Sequence, residues 1–380
     1  DRVGERSVRS QPLAPYIAQQ TVKRKCWLGF FRSSRNHGFL PGCQRANVGH
    51  RCPGKYRPDS SLPAMSVGKW NLRIRDLMDR LFYESVDLDR DAVLRKSVNW
   101  RQSLLVEDSL RILICYDGDP LFAWPEDMDA HELVVIGGLA VRHLDVDLEA
   151  AQWIYLGRDG NGPVMAVDIA SVISDREEAV RRLGGGFGDM RTRMAALSSD
   201  EAALAAQARA LFNWHRGHQF CGACGHANRV AEAGYRLECS NPDCGKSHFP
   251  RTDPAVIMLI HHEDHVLLAR SPQFLPNMVS VLAGFVEPGE TLEQAVAREV
   301  YEEVGIRVKR PKYVASQPWP FPGSLMLGFV AEAETTDITI DQDEIEFAMW
   351  VHRDEVPNLP EKGINLPRPI SIARYLLENW

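Results

Sequence analysis

Three glutamates near residue 300 are the side chains best suited to chemistry. In a helix, Glu299, Glu302 and Glu303 would fall within about 100° of one another. Like charges this close repel each other. A divalent cation would turn that repulsion into binding, because Mg²⁺ and Mn²⁺ prefer carboxylate and phosphate oxygens. The alternative is a solvated acidic helix face, which is common for a generic cluster of charges.

The helix that would carry these glutamates has clear ends. The turn at Pro288-Gly289 precedes Glu290-Thr291, where the helix should begin, and Gly305 is a natural residue to follow its last turn. Arg298 lies among the glutamates and could hold them, or the preceding loop, by bidentate pairing.

Four cysteines form a second chemical cluster. Cys221-x2-Cys224 and Cys239-x4-Cys244 are separated by fourteen residues, a spacing suited to tetrahedral Zn²⁺. Four thiolates leave no open coordination position, so the sequence predicts structural zinc. Two histidines could each replace one thiolate: His226 and His248. The alternative is four unrelated buried or free cysteines.

A proline-rich segment follows the helix, Ser316-Gln-Pro-Trp-Pro-Phe-Pro-Gly-Ser324. Alternating prolines stiffen an extended backbone and leave few N–H donors. Trp319 and Phe321 offer flat apolar faces that suit the stacking of a base. A rigid structural turn with a core tryptophan is the alternative.

The elements around these motifs indicate a mixed α/β chain. Residues 66–197 carry no catalytic motif and no visible internal repeat. The predicted elements there are a hairpin at Ser109–Trp124, strands at Leu133–Val141, Trp153–Leu156 and Val164–Ile169, and a helix at Asp175–Leu183, followed by a helix at Asp200–His215.

Composition and charge exclude several classes of protein. The chain is 44% hydrophobic and 25% charged, which is globular, and no apolar run approaches the roughly 18 residues of a membrane span. Residues 1–64 hold 12 Lys+Arg and 3 Asp+Glu, a net of +9, so the other 316 residues hold 32 and 48, a net of −16. We expect residues 1–65 to be disordered or non-native sequence upstream of a true start at Met65; a targeting arm and an ordered domain are the alternatives.

The glutamate motif resembles a known family. The spacing G-x5-E-x7-R-E-V-x-E-E-x-G-I, from Gly284 to Ile306, is similar to the Nudix box at every defined position. The resemblance implies an α/β/α sandwich that hydrolyses a nucleoside diphosphate linked to another group. It also implies roles: Glu299 and Glu303 as metal ligands, Glu302 as a ligand or water activator, the Ala283 carbonyl as a further ligand, and Gly284, Glu290 and Arg298 as supports.

The proline-rich segment and the cysteine pairs narrow this resemblance to the NADH pyrophosphatase branch. That branch cleaves NADH or NAD⁺ to (reduced) nicotinamide mononucleotide and AMP, and is associated with removing NAD caps from RNA. Motif alignment implies a substrate segment of Gln317, Pro318, Trp319, Pro320, Phe321, Pro322, Gly323 and Ser324, with Phe249 and Ala373 as further contacts. It also implies Glu344 as a metal ligand, with a weaker claim for Glu346, and a substrate contact from Arg191 or Arg193.

These observations give one set of expectations. The fold is an α/β Nudix sandwich (251–380) preceded by a zinc ribbon (216–250) and an N-terminal α+β accessory domain (66–215). The cofactors are structural Zn²⁺ and catalytic Mg²⁺ or Mn²⁺. The expected ligands are NADH or NAD⁺ and NAD-capped RNA. We expect the protein to be a cytoplasmic homodimer that does not contact a membrane. The alternative is a Nudix diphosphatase for another nucleoside diphosphate derivative such as ADP-ribose.

Overall fold

A computed structural model describes residues 88–97, 99–123, 133–137, 146–147 and 150–380. All of these belong to one compact unit, Met65–Trp380. The expectations for residues 1–65 lie outside the described residues. Trp124 of the predicted hairpin and residues 138–141 of the predicted strand Leu133–Val141 also lie outside the described residues.

An N-terminal sheet and its helices make up the first part of the described chain. The strands are β1 (Arg111–Tyr116), β2 (Asp119–Phe122), β3 (Val135–Gly137), β4 (Gln152–Asp159), β5 (Gly162–Asp168) and β6 (Gly186–Phe187). The helices are α1 (Trp100–Leu105), α2 (Arg176–Leu183), α3 (Met190–Arg193) and α4 (Ser199–Gly217), with 3₁₀ turns at Leu94–Lys96 and Met194–Ala196. The predicted hairpin, the strands near 153 and 164 and both predicted helices are confirmed.

Local chemistry explains two of these elements. The β1–β2 turn places Asp117 at φ 52° and Gly118 at φ 76°, and the Asp168 carboxylate accepts both of their backbone N–H groups. Helix α4 begins at a capping box in which Ser198 and Glu201 satisfy each other's backbone N–H groups. Its alanine-rich face is buried against the sheet.

The cysteine segment forms a small three-stranded sheet of β7 (Asn228–Ala231), β8 (Arg236–Cys239) and β9 (Ser247–His248), with a 3₁₀ turn at Glu232–Gly234. Gly234 lies so close to β4 that a Cβ there would be 2.5 Å from Cγ2 of Ile154. The His215 ring bridges Gln152 (2.7 Å) and the Gly234 carbonyl (2.8 Å). Burial lowers the pKa of His215, so the bridging imidazole is neutral at neutral pH.

The C-terminal part is a second sheet between two helices. The strands are β10 (Asp253–His262), β11 (His265–Arg270), β12 (Leu282–Phe285), β13 (Val308–Trp319), β14 (Ser324–Ala333) and β15 (Phe347–His352). The helices are α5 (Leu292–Val304) and α6 (Ile372–Glu378), with 3₁₀ turns at Arg353–Asn358 and Pro360–Lys362.

Strand β10 shows why this sheet is covered on both sides. It pairs in parallel with β14 and is an almost continuous apolar run, as expected for a strand buried on both faces. Val256 and Met258 pack with α5 in one core, whereas Ile257 and Leu259 pack with α6 in another. The predicted α/β/α sandwich is confirmed.

The two sheets share one topology. The first runs β4-β5-β1-β2-β6 with β3 on β1, and the second runs β13-β14-β10-β11-β15 with β12 on β10. Each order repeats the other strand for strand. The internal repeat that the sequence did not reveal is therefore present in the fold, because strand order depends on long-range pairing and tolerates wide sequence change.

A single apolar core joins the three parts of the described chain. Phe212 of α4 and Leu237 of β8 belong to it, and so do Phe321 and Ile370 of the C-terminal part. The parts are therefore fixed against one another by burial as well as by hydrogen bonds. Among the helices of the described residues, none combines the length and the hydropathy that a membrane span requires.

Candidate active site

Helix α5 has the ends that its sequence predicts. Thr291 caps it and forms a capping box with Gln294, and Gly305 ends it in the left-handed conformation at φ 72°. Val296 and Val300 are fully buried against the sheet. The predicted helix is confirmed at Leu292–Val304, and its position fixes where the glutamates lie.

The Arg298 guanidinium is the centre of the glutamate cluster. Its Nε and Nη2 atoms donate to the two carboxylate oxygens of Glu290 at 2.6 and 2.9 Å. Its Nη1 donates to Glu299 and Glu302, both at 2.9 Å, and Nη2 also donates to the Phe285 carbonyl at 2.8 Å. This pairing holds the pKa of Glu290 below its ordinary value. Arg298 thus joins the loop before the helix to two of the three clustered glutamates.

Glu303 has no such partner. Only 7% of the residue is exposed, and its Oε2 atom is buried without a hydrogen-bond partner in the described structure. Burial raises the pKa of Glu303 to about 8, and the charges of Glu299 and Glu344 add to the effect. Burial also raises the pKa of Glu299. An unpaired buried carboxylate is costly, and a bound cation would compensate it.

Gly284 leaves the space that Glu299 occupies. A Cβ at this glycine would overlap the carboxylate of Glu299, so only glycine allows the close approach. In the β10–β12 ladder, Ala283 pairs with Ile257 and Gly284 pairs with Val256. The exposed Ala283 therefore lies beside the same carboxylate along the strand.

The oxygen donors around this point fit a hard divalent cation. Ala283 offers a backbone carbonyl, and Glu299 and Glu303 offer buried carboxylates. The exposed Glu344 lies in a turn anchored to the helix, because the Asp341 N–H donates to the Glu303 carbonyl at 3.0 Å. Within the described structure, no three glutamates have side-chain oxygens within 4.8 Å of one another.

Glu346 differs from Glu344 in its surroundings. Its carboxylate pairs with Arg270 at 2.9 Å, and Arg270 also donates to the carbonyls of Leu275 and Met278. The structure therefore gives Glu346 a role in holding a surface loop.

The proline-rich segment ends strand β13 and turns into β14. Gln317 is completely buried: its amide donates to the Ile370 carbonyl and accepts the Ile372 N–H, both at 2.8 Å. Trp319 is half-buried and meets Phe321 edge to face, with ring centroids 5.3 Å apart. Pro318 and Pro322 are exposed, Pro320 is buried, and Gly323 and Ser324 are half-buried. Gln317 thus positions the turn from inside.

Two arginines of the N-terminal part contact this turn at Phe321. The Cζ atoms of Arg191 and Arg209 lie 4.9 and 5.2 Å from the centroid of the Phe321 ring. Arg209 is itself held by a short contact to Asp119 at the start of β2. Arg193 stacks on Phe122 instead, at 5.1 Å. Arg191 and Arg193 were the two candidates for a substrate contact, and Arg191 is the one that contacts the turn.

Two exposed aromatic side chains complete the surroundings. Phe249 is 65% exposed just after β9, and Phe285 is 58% exposed at the end of β12. Phe285 was missed in the sequence, although its place directly after Gly284 is a signal. Ala373 is only 4% exposed and packs beneath the sheet.

The four cysteines form a separate candidate metal centre. All four sulfur atoms lie within 4.8 Å of one another. The Cys221–Cys244 and Cys224–Cys239 sulfur pairs are 3.9 and 3.3 Å apart, near the edge of about 3.8 Å of a tetrahedral zinc–sulfur site. Neither His226 nor His248 belongs to this group. The arrangement is that of a structural zinc centre.

Local backbone geometry prepares these thiols for a metal. N–H groups of Ala223 and Cys224 point at Cys221 and lower its pKa to about 6. Burial raises the pKa of Cys239 to about 12, so this thiol keeps its proton until a metal replaces it.

Comparison with family models divides the chain into three. Residues 95–214 match an NADH pyrophosphatase-like rudimentary NUDIX domain, residues 216–249 match an NADH pyrophosphatase zinc ribbon domain, and residues 251–371 match a NUDIX domain. The first match agrees with the topology shared by the two sheets.

Curated relatives are similar over about half of this chain. NAD-capped RNA hydrolase NudC of Stutzerimonas stutzeri is 46% identical over 195 residues, which cover 51% of this chain and 67% of the relative. Nudix hydrolase 19, chloroplastic, of Arabidopsis thaliana is 44% identical over 56% of this chain and 51% of its own. Human NAD-capped RNA hydrolase NUDT12 is 43% identical over a stretch that covers 48% of this chain and 42% of the human protein. The chain thus spans about half the length, or less, of the plant and human relatives.

Among solved structures, a NUDIX hydrolase from Nitrosomonas europaea is similar to 37% of this chain and 80% of its own. The sequence identity is 27% and the TM-score is 0.32.

Replacing a zinc ligand is expected to release the metal and loosen the shared core. Cys239→Ser should abolish zinc binding and lower the thermal unfolding midpoint, because Leu237 two residues away packs in that core. Zinc content by atomic absorption and unfolding by circular dichroism measure both effects. His226→Gln is the matched control and should keep its zinc; loss of zinc from this control alone would contradict the four-thiolate site.

Adding one methyl group at Gly284 is expected to disable the site without unfolding the protein. In Gly284→Ala, the new Cβ displaces the Glu299 carboxylate. We expect a loss of affinity for divalent metal by calorimetry, at an unfolding midpoint close to that of the wild type. Gly160→Ala is the control: it adds a methyl group in the turn between β4 and β5, where nothing lies within 4 Å of the Cβ position and φ is not positive. Equal metal affinity in the wild type and Gly284→Ala would contradict the placement of Glu299.

Removing the charge of Glu303 is expected to stabilise the metal-free protein at high pH. A carboxyl whose pKa is raised from 4.5 to about 8 on folding destabilises the fold above pH 4.5, and fully above pH 8. Metal-free Glu303→Gln should therefore gain about 1–3 kcal/mol over the wild type at pH 9 and little at pH 4. Urea unfolding at the two pH values measures this difference. Glu302→Gln is the control: the Glu302 side chain is 56% exposed, so the free energy of unfolding should change little at either pH. If the gain of Glu303→Gln over the wild type is the same at pH 4 and pH 9, Glu303 does not bury an unpaired charge.

Proposed function

The chain belongs to the Nudix hydrolases, in the branch that carries the NADH pyrophosphatase zinc ribbon, and from this membership we propose that it hydrolyses the pyrophosphate of NADH or NAD⁺. The products are (reduced) nicotinamide mononucleotide and AMP. The observation that carries the proposal is the buried carboxylate of Glu303, whose Oε2 has no hydrogen-bond partner in the described structure and whose pKa the nearby charge of Glu299 helps to raise.

We assign the catalytic cation, Mg²⁺ or Mn²⁺, to the carboxylates of Glu299, Glu303 and Glu344 and the carbonyl of Ala283. When bound there, it supplies charge neutralisation for the pyrophosphate and lowers the pKa of a coordinated water. Arg298 keeps Glu299 turned toward the site, and Gly284 leaves room for its carboxylate.

Glu302 is the residue that we assign as general base. Its side chain is 56% exposed and therefore reaches solvent, and Arg298 fixes one of its oxygens at 2.9 Å. A water held against the pyrophosphate would lose its proton to the other oxygen. The nucleophile is water, so the reaction needs no covalent intermediate.

The distance between the turn and the glutamates suits a dinucleotide. Ser324 pairs with Asp253 on β10, and β10 pairs with β12 on its other side. Gly284 pairs with Val256, three residues further along β10. The turn therefore lies two strand spacings across the sheet and about 10 Å along it from the backbone of Gly284, roughly 14 Å in all. A pyrophosphate at the glutamates leaves one base beside Trp319 of the turn. The exposed rings of Phe249 and Phe285 offer further stacking faces.

NAD-capped RNA is the larger substrate that we propose, because curated relatives are named NAD-capped RNA hydrolases. The chemistry at the pyrophosphate is the same for both substrates. We also propose that the protein is a homodimer. We propose that it acts in a reducing compartment such as the cytoplasm, because its four clustered cysteines are free thiols. A Nudix diphosphatase for ADP-ribose is the competing function.

The test is a product assay resolved by mass. With Mg²⁺ or Mn²⁺, the full chain is expected to convert NADH into AMP and reduced nicotinamide mononucleotide, with ¹⁸O from labelled water in one product. Glu303→Gln should lose about a hundredfold or more in kcat while staying folded. Faster turnover of ADP-ribose than of NADH or NAD⁺ would favour the competing function, and near-full activity of Glu303→Gln would overturn the assignment of the site.

A further inference from the structure

Two arginines beside the proline-rich turn have no carboxylate partner. Arg191 and Arg368 are both exposed, and neither guanidinium lies within 4.0 Å of a carboxylate in the described structure. They lie next to each other, because Nη1 of Arg368 donates to the backbone carbonyl of Arg191 in a short hydrogen bond. The pair therefore presents two positive charges that the protein itself does not neutralise.

Other arginines near the turn differ in this respect. Arg209 contacts Asp119, and Arg251 pairs with Asp253 at 2.6 Å. Arg216 lies 3.6 Å from Asp168. Among these five arginines of the described chain, Arg191 and Arg368 alone lack a carboxylate partner, so their place beside the turn favours an anionic ligand.

The pair is joined to the substrate turn on both sides. The guanidinium of Arg191 lies on the Phe321 ring, at 4.9 Å. Arg368 is two residues before Ile370, whose carbonyl accepts the buried amide of Gln317. The same turn therefore fixes the position of the base that it stacks and the position of the two arginines. The backbone of Gly284, beside the Glu299 carboxylate, lies roughly 14 Å from the turn across and along the sheet.

We propose that Arg191 and Arg368 bind the backbone phosphates of the RNA that follows an NAD cap. This rests on the proposed function, because it requires the cap to lie between the turn and the glutamates. Guanidinium groups recognise phosphate by bidentate hydrogen bonds, and phosphate contacts position a nucleic acid without reading its sequence. Free NADH has no phosphate beyond its pyrophosphate, so this pair acts only on capped RNA.

The experiment compares two substrates on one variant of the full chain. We expect Arg368→Gln to lower kcat/KM for a short NAD-capped RNA about fivefold at low salt, and to leave kcat/KM for NADH within twofold. The dependence of log kcat/KM on log salt should become shallower by about 1 for the RNA alone. Arg368→Lys should recover part of the loss, because a lysine keeps the charge.

Arg181→Gln is the matched control. It removes one exposed positive charge from the same chain, but Arg181 lies among Asp175, Glu177 and Glu178. It should affect neither substrate. If Arg368→Gln and Arg181→Gln lose the same fraction of kcat/KM for capped RNA, the effect comes from the net charge of the protein and the proposal is overturned.

Failure of this inference is distinguishable from failure of the proposed function. If the wild type cleaves NADH and capped RNA, and Arg368→Gln keeps full RNA turnover, the phosphate site is wrong and the hydrolase stands. If Arg368→Gln loses turnover of both substrates equally, the residue acts on the turn and the phosphate site is again wrong. If the wild type cleaves neither substrate, the proposed function and the inference fall together.

Discussion

The guanidinium of Arg298 holds together a cluster of like charges that would otherwise repel. It contacts Glu290, Glu299 and Glu302 and the carbonyl of Phe285, and so it ties the loop before α5 to the middle of that helix. One cation cannot compensate every acid in the cluster. Within the described structure, Glu303 Oε2 is left buried without a hydrogen-bond partner. A second cation from solution would therefore stabilise its surroundings, so the order of the cluster and the metal affinity that we expect have the same electrostatic origin.

Other parts of the described chain hold the proline-rich turn in place. Gln317 fastens the turn to the start of α6, and Phe321 packs in the core shared with the N-terminal part. Asp119 supports Arg209, which in turn contacts Phe321. Leu237 joins the small sheet of the cysteine cluster to the same core. The N-terminal part of the molecule, which has no catalytic motif, therefore contributes by fixing the geometry of the proline-rich turn.

Features carried by neighbouring residues were predictable from sequence. The caps at Thr291 and Gly305, the glutamate spacing and the cysteine pairs are local patterns with local causes, and they gave the helix and both candidate metal centres. Gln317 was expected to contact substrate, and its structural role was not foreseen because its partners lie more than fifty residues away at Ile370 and Ile372. The contact of Arg191 with Phe321 and the repeated strand order also depend on long-range pairing, which no local pattern reveals.

The repeated topology has a consequence for how the two halves could diverge. In the described part of the first sheet, the acids Asp119 and Asp168 are satisfied by arginines and backbone N–H groups. On helix α5, which packs on the second sheet, Glu303 Oε2 has no hydrogen-bond partner in the described structure. If the two arose from one ancestral unit, the copy that gave up catalysis was released from storing electrostatic strain and became free to evolve toward rigidity. Duplication would then have separated two demands that conflict within one domain, since a reactive site favours strain and a scaffold favours its removal.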